Sequence, residues 1–126
     1  MTDTQASELS EAEVRRARNQ LKRAYLLVGW GNLDEAIDIC RQVDEQLGGT
    51  HHLPGTLEGS FLIAKGQLRQ ALKVLRGVTR SFPGEVLPQI HFAEACFLAG
   101  RIEQGDRALE EARRMDDGGR HAELLQ

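Results

Sequence analysis

Apolar residues recur at steps of three and four along the chain, first as Val14, Ala17, Leu21, Ala24 and Val28, then as Leu33, Ala36, Ile37, Cys40, Val43 and Leu47. Steps of this size draw a single apolar stripe on a helix, and strand-like alternation of β-branched residues is absent, so the chain is expected to be all-α. Six helices are predicted. The first is announced by Leu9, Ser10 and Glu13: Ser10 can cap the Glu13 amide, Glu13 can reach back, and Leu9 can pack on Val14. Gly29 and Gly31 end it. The second starts at Asn32, with Glu35 three places on as an Asn-headed form of the same capping logic, and runs to Gly48 and Gly49. The third is introduced by Pro54 and ends near Lys65. The fourth carries Leu68, Ala71, Leu72, Leu75 and Val78 and stops before Pro83, since a residue ahead of proline is pushed out of helical geometry. Pro88 is tolerable only in the first turn of a fifth helix over about 85–99. The sixth spans about 102–115, with Arg113 and Arg114 where the helix dipole favours positive charge. A break over 116–119 follows, and "RHAELLQ" can add one more turn.

Three stretches then stand out as versions of one another: "GNLDEAIDIC" from Gly31, "GQLRQALKVL" from Gly66 and "GRIEQGDRAL" from Gly100, spaced by 35 and then 34 residues. Aligned on these glycines, the first helix of each pair has a small residue at Ala24, Gly59 and Ala93, with Leu27, Leu62 and Cys96 three places later. The second helices carry Ala36, Ala71 and Gly105, followed after four residues by Cys40, Leu75 and Leu109. A small residue lets paired helices cross closely, and the larger ones interdigitate with the next pair. This pattern resembles the tetratricopeptide repeat (TPR), over roughly residues 17–118. It departs from the family where Gln20, Gly55 and Gln89 stand in the tryptophan slot and where the closing proline occurs once, as Pro83. The resemblance implies three tandem helix-turn-helix repeats, about 17–51, 52–85 and 86–118, winding into a short right-handed superhelix. A flexible tail over 1–9, a single domain over 10–118 and a short tail or helical turn over 119–126 complete the expected organisation. As three units are the fewest usually stable together, the chain is expected to be whole.

Composition narrows the function. In 126 residues, 16 basic and 19 acidic groups leave a net charge of −3, which gives no global attraction to nucleic acid or anionic membrane. No apolar run approaches the length of a membrane span, and the polar, acidic N-terminus lacks the form of a secretory signal, so a cytoplasmic protein without membrane insertion is expected. Cys40 and Cys96 both fall on apolar helical stripes and are expected to be small buried thiols. No phosphate loop, zinc-protease motif or nucleophile elbow occurs. The adjacent His51 and His52 have no Cys, Asp or Glu close in sequence to complete a site and are taken as part of a polar linker. No catalytic residue, cofactor or metal site is therefore assigned.

In the family that the repeats resemble, the first helices line a concave surface that holds other proteins. If Ala24, Gly59 and Ala93 face inward, their neighbours face the groove: Leu21, Lys22, Tyr25 and Val28, then Leu57, Ser60 and Ile63, then Ile90, His91, Glu94 and Phe97. The list is mostly apolar, and soluble proteins seldom leave such a stripe uncovered. The alternative is that Leu57, Ile63 and Phe97 complete the core. The family's carboxylate clamp of Lys, Asn and Arg is missing from this face. In size, repeat number and groove polarity the chain is similar to the small bacterial three-repeat chaperones of type III secretion, which shield apolar segments of their partners. Arg15, Arg18 and Lys22 share one face beside the groove and can steer an acidic partner; a solvated face balanced by Glu8, Glu11 and Glu13 is the alternative. The expected function is a protein-interaction module taking an apolar helical segment, with Tyr25, His91 and Glu94 setting its register. A self-associating scaffold, dimerising through an edge that ends in Ala122, Leu124 and Leu125, is the second expectation. An enzyme is the third.

Overall fold

Six helices follow one another in the computed structural model, which describes residues 9–116, 119–121 and 124–125: α1 (Glu11–Gly29), α2 (Leu33–Gln46), α3 (Leu53–Lys65), α4 (Leu68–Ser81), α5 (Val86–Leu98) and α6 (Ile102–Met115). Among the described residues there is no strand. Each helix packs on the next in sequence, giving three helical hairpins stacked in a row, and α3 also packs directly on α5.

The turn inside each hairpin is one structure repeated three times. Gly31, Gly66 and Gly100 take φ of 82, 84 and 80°, a left-handed conformation that costs glycine little and other residues a good deal. Each glycine amide donates to a carbonyl three residues back, to Val28, Ile63 and Phe97 at 2.9, 2.9 and 3.1 Å. The next amide reaches five residues back, to Leu27, Leu62 and Cys96 at 2.8, 2.9 and 2.8 Å, which satisfies carbonyls that a helix end leaves open. Asn32, Gln67 and Arg101 then begin the second helices with nearly the same backbone angles, and none uses its side chain as a cap. The sequence expectation for Asn32 is corrected here. Its amide donates to the Glu35 carboxylate at 2.8 Å rather than accepting from the backbone, and Gln and Arg serve equally well in its place. The expected box at the start of α1 does form: Ser10 Oγ accepts from the Glu13 amide and Glu13 Oε1 from the Ser10 amide, both at 3.1 Å. Leu9, placed by sequence in the N-terminal tail, is half-buried against the core; the rest of that tail lies outside the described residues.

Small residues set how closely the hairpins close. A β-carbon at Gly59 would fall inside the Leu75 side chain, one at Gly55 would lie 2.6 Å from Val78 Cγ2, and one at Gly105 would lie 2.7 Å from the Phe97 ring. α3 thus presents a glycine face into which α4 sinks Leu75 and Val78. Gly77, also on α4, is exposed and meets nothing within 4 Å, so it contributes only the flexibility of a glycine in mid-helix. Gly77→Ala is expected to raise stability by about 0.5–1 kcal/mol, seen as a higher midpoint in urea with an unchanged slope.

Ala24, Ala36, Ala71, Ala95 and Ala112 are fully enclosed together with Val43, Leu62, Leu75, Cys40 and Cys96. Burial, with the Glu58 charge adding to it, pushes the Cys40 thiol up to about 12, and burial also raises Cys96 against the opposing pull of Arg101 and Arg76. Because the thiolate is the reactive form, both cysteines are expected to resist a thiol reagent at mildly alkaline pH in the native protein. Labelling should begin only as urea unfolds the chain; rapid labelling without urea would show that one of these helices opens.

Candidate functional site

α1 and α3 do not repeat the close packing of α3 on α5. The link from α2 to α3 covers residues 47–52 against 82–85 for the link from α4 to α5, and both Gly48 and Gly49 in it are left-handed, at φ 63 and 69°. This longer connection leaves the N-terminal half of α3 standing off from α1. Between them lies a cleft of about 410 Å³. Its α1 wall is Val14, Ala17, Arg18, Leu21, Lys22 and Tyr25, its opposite wall Leu53, Pro54 and Leu57, and Leu47 and His51 close it from the linker. An enclosed apolar cavity of roughly 150 Å³ holds a benzene, so this space has room for about two or three ring-sized groups.

Leu21 and Leu57 are buried at its floor, whereas Tyr25 and Leu53 are exposed at its rim, 58% and 38% accessible. The Tyr25 ring meets the buried Phe61 edge-on, with centroids 5.7 Å apart and planes at 86°, and so braces α1 against α3 at one end of the cleft. Arg41 Nε bonds Glu58 Oε2 at 2.9 Å and Lys65 pairs with Asp34, which tie α2 of the first hairpin to α3 of the second, while Arg23 and Glu35 pair at 3.4 Å within the first hairpin.

Four of the residues expected from the sequence, Leu21, Lys22, Tyr25 and Leu57, come together in this cleft. The other seven do not. Val28, Ser60 and Ile63 lie on the C-terminal halves of α1 and α3, beyond the lined region, and Val28 and Ile63 pack on the core. Ile90, His91, Glu94 and Phe97 belong to α5, where His91 Nδ1 and Glu94 Oε1 pair with each other at 3.3 Å. The placing of Phe97 in the groove is corrected: Gly105 leaves a hollow on α6, and the Phe97 ring occupies it inside the third hairpin. The cleft also takes in Val14, Ala17, Arg18, Leu47, His51, Leu53 and Pro54, which periodicity around Ala24 and Gly59 does not reach: they lie at the N-terminal ends of α1 and α3 and in the link between α2 and α3. The two glycines and the length of that linker are the signal that α3 stands apart.

No protein-family model matches the chain, and no curated protein does. Several solved structures are similar, among them two of one protein. "MamA 41-end from Desulfovibrio magneticus RS-1" superposes with a TM-score of 0.66 at 21% identity, covering 79% of this chain and 56% of that one. The "MamA RS-1 ArsTM double mutant" gives the same TM-score at 20% identity with the same coverage. The fold is a TPR-like helical repeat. The present chain spans little more than half the length of those neighbours, and at such identity the likeness concerns fold.

Two further findings bear on the other expectations. Leu125 is buried, 6% accessible, and its carbonyl accepts from Arg113 Nε and Nη2 at 3.1 and 2.8 Å, while the Leu124 and Leu125 amides both donate to the His121 carbonyl. The C-terminal turn thus lies against α6, so Leu125 is not part of an open dimerising edge; Leu124 is exposed and Ala122 lies outside the described residues. Among the described residues, no group of three or more His, Cys, Asp or Glu side chains is placed to hold a metal ion, and no helix is long and apolar enough to cross a membrane.

Proposed function

We propose that this chain is a protein-interaction module whose cleft between α1 and α3 accepts an apolar helical segment of another protein. The observation that carries this reading is the separation of α1 from α3 where α3 and α5 close up, which leaves Leu21, Leu57, Leu47 and Pro54 as an apolar floor. A helix laid there would bury its apolar face on that floor, with Tyr25 and Leu53 as the two rims. Transfer of apolar side chains from water supplies the affinity, at about 25 cal/mol per Å² of surface covered. Register comes from Tyr25 at the closed end; His91 and Glu94, on α5, have no part in it. The size and polarity of the cleft also suit a chaperone-like role, in which the segment is shielded until it reaches its own partner.

Selection of helical peptides on the full chain tests the proposal. Binders should be recovered whose affinity falls when Tyr25 or Leu53 is changed to alanine. Binders indifferent to both changes would contradict it.

A further inference from the structure

The cleft is one-sided in charge. In a chain of net charge −3, no carboxylate lines it, while Arg18 and Lys22 stand on its α1 wall. A helix rises about 1.5 Å per residue, so these two positions are about one turn, roughly 6 Å, apart along the α1 axis. Among the described residues the one ion pair made from α1 is Arg23 with Glu35, which leaves Arg18 and Lys22 without an ionic partner there. Glu13, whose carboxylate accepts from the Ser10 amide, forms no ion pair with either cation among the described residues. Glu11 forms no ion pair among the described residues.

Resting on the cleft reading above, we infer that the accepted segment is an amphipathic helix with acidic residues beside its apolar face, spaced one turn apart. Two carboxylates at i and i+3 or i+4 on a docked helix match the spacing of Arg18 and Lys22 whichever way the helix runs. The cations are exposed, so each pair would raise affinity only a few-fold, about two to five, and would act mainly on the rate of encounter and on orientation. The apolar floor supplies affinity and cannot distinguish one edge of a helix from the other; the charged rim can. A basic segment of the same apolar character would be repelled, which gives the module a means of rejecting wrong partners.

The test uses a display library of amphipathic helices, random at the positions flanking the apolar face, selected on the full chain. Binders that depend on Tyr25 are sequenced and remeasured on the double variant R18E/K22E, both sites being solvent-exposed and its helicity being checked against the parent. The expected result is enrichment of Asp and Glu at one-turn spacing, with affinity falling about tenfold or more in the variant and declining with salt in the parent. Should Tyr25-dependent binders show no acidic enrichment and bind the variant as well as the parent, the charge inference is overturned and the cleft reading stands. If no binder depends on Tyr25 or on Leu53, both fall together.

Discussion

Leu75→Ala is expected to destabilise the protein by about 2–5 kcal/mol, and Gly59→Ala made in the same chain should restore part of that loss. Leu75 is fully enclosed, and its isobutyl group occupies the space that a β-carbon at Gly59 would need. Truncation removes the transfer energy of the buried carbons and leaves a cavity between α3 and α4. A methyl group at Gly59 points into that cavity. In the wild-type background the same methyl overpacks the site, at about 1–3 kcal/mol, with some offset from the better helix propensity of alanine, about 1 kcal/mol. The two substitutions should therefore couple favourably, by about 0.5–3 kcal/mol. Urea unfolding of the four proteins measures it. Additive effects would mean that Gly59 is not the residue setting the approach of α4.

Tyr25→Ala is expected to lower the affinity of a cleft-bound helix by about 30-fold or more, as aromatic anchors at an interface commonly do. The same change should leave the circular dichroism spectrum unaltered. The ring is more than half exposed, and its contact with Phe61 is an edge-on pair of the kind worth about 0.5–1.5 kcal/mol, too little to unfold a domain. Phe97→Asp is expected to do the reverse. It sets a carboxylate into the hollow at Gly105, weakening the third hairpin while the cleft is untouched. Melting temperature and peptide affinity measured on both variants separate the two roles.

How much of this could be read from the residues differs by level. The repeat was legible because a left-handed turn admits few residues other than glycine: Gly31, Gly66 and Gly100 mark the same bond pattern three times, and the helix boundaries follow to within a residue or two. The small slots at Ala24, Gly59 and Ala93 were legible for the same steric reason. Asn32 misled because a residue type that often caps a helix sits at a helix start, yet the turn hydrogen bonds already fix that start. The site was legible only in part. Leu21, Lys22, Tyr25 and Leu57 follow from helical periodicity around Ala24 and Gly59, but periodicity says nothing of how far one hairpin stands from the next. That separation depends on the 47–52 linker and its two glycines, and it confines the cleft to the first two repeats. Phe97 shows the same limit, since the position of its ring follows from the absent side chain at Gly105, distant in sequence.

The most direct measurement is an amide chemical-shift map of the isotope-labelled chain titrated with the tightest selected helical peptide. The perturbed amides are expected to gather along 14–25 of α1, in the 47–52 linker and over 53–57 of α3. Trp30, 79% exposed beyond the end of α1, and Leu98 and Ile102 at the third turn should stay still. Perturbations centred on Leu26, Trp30, Leu98 and Ile102, with the cleft walls unmoved, would place the binding surface on the turn edge and not in the cleft.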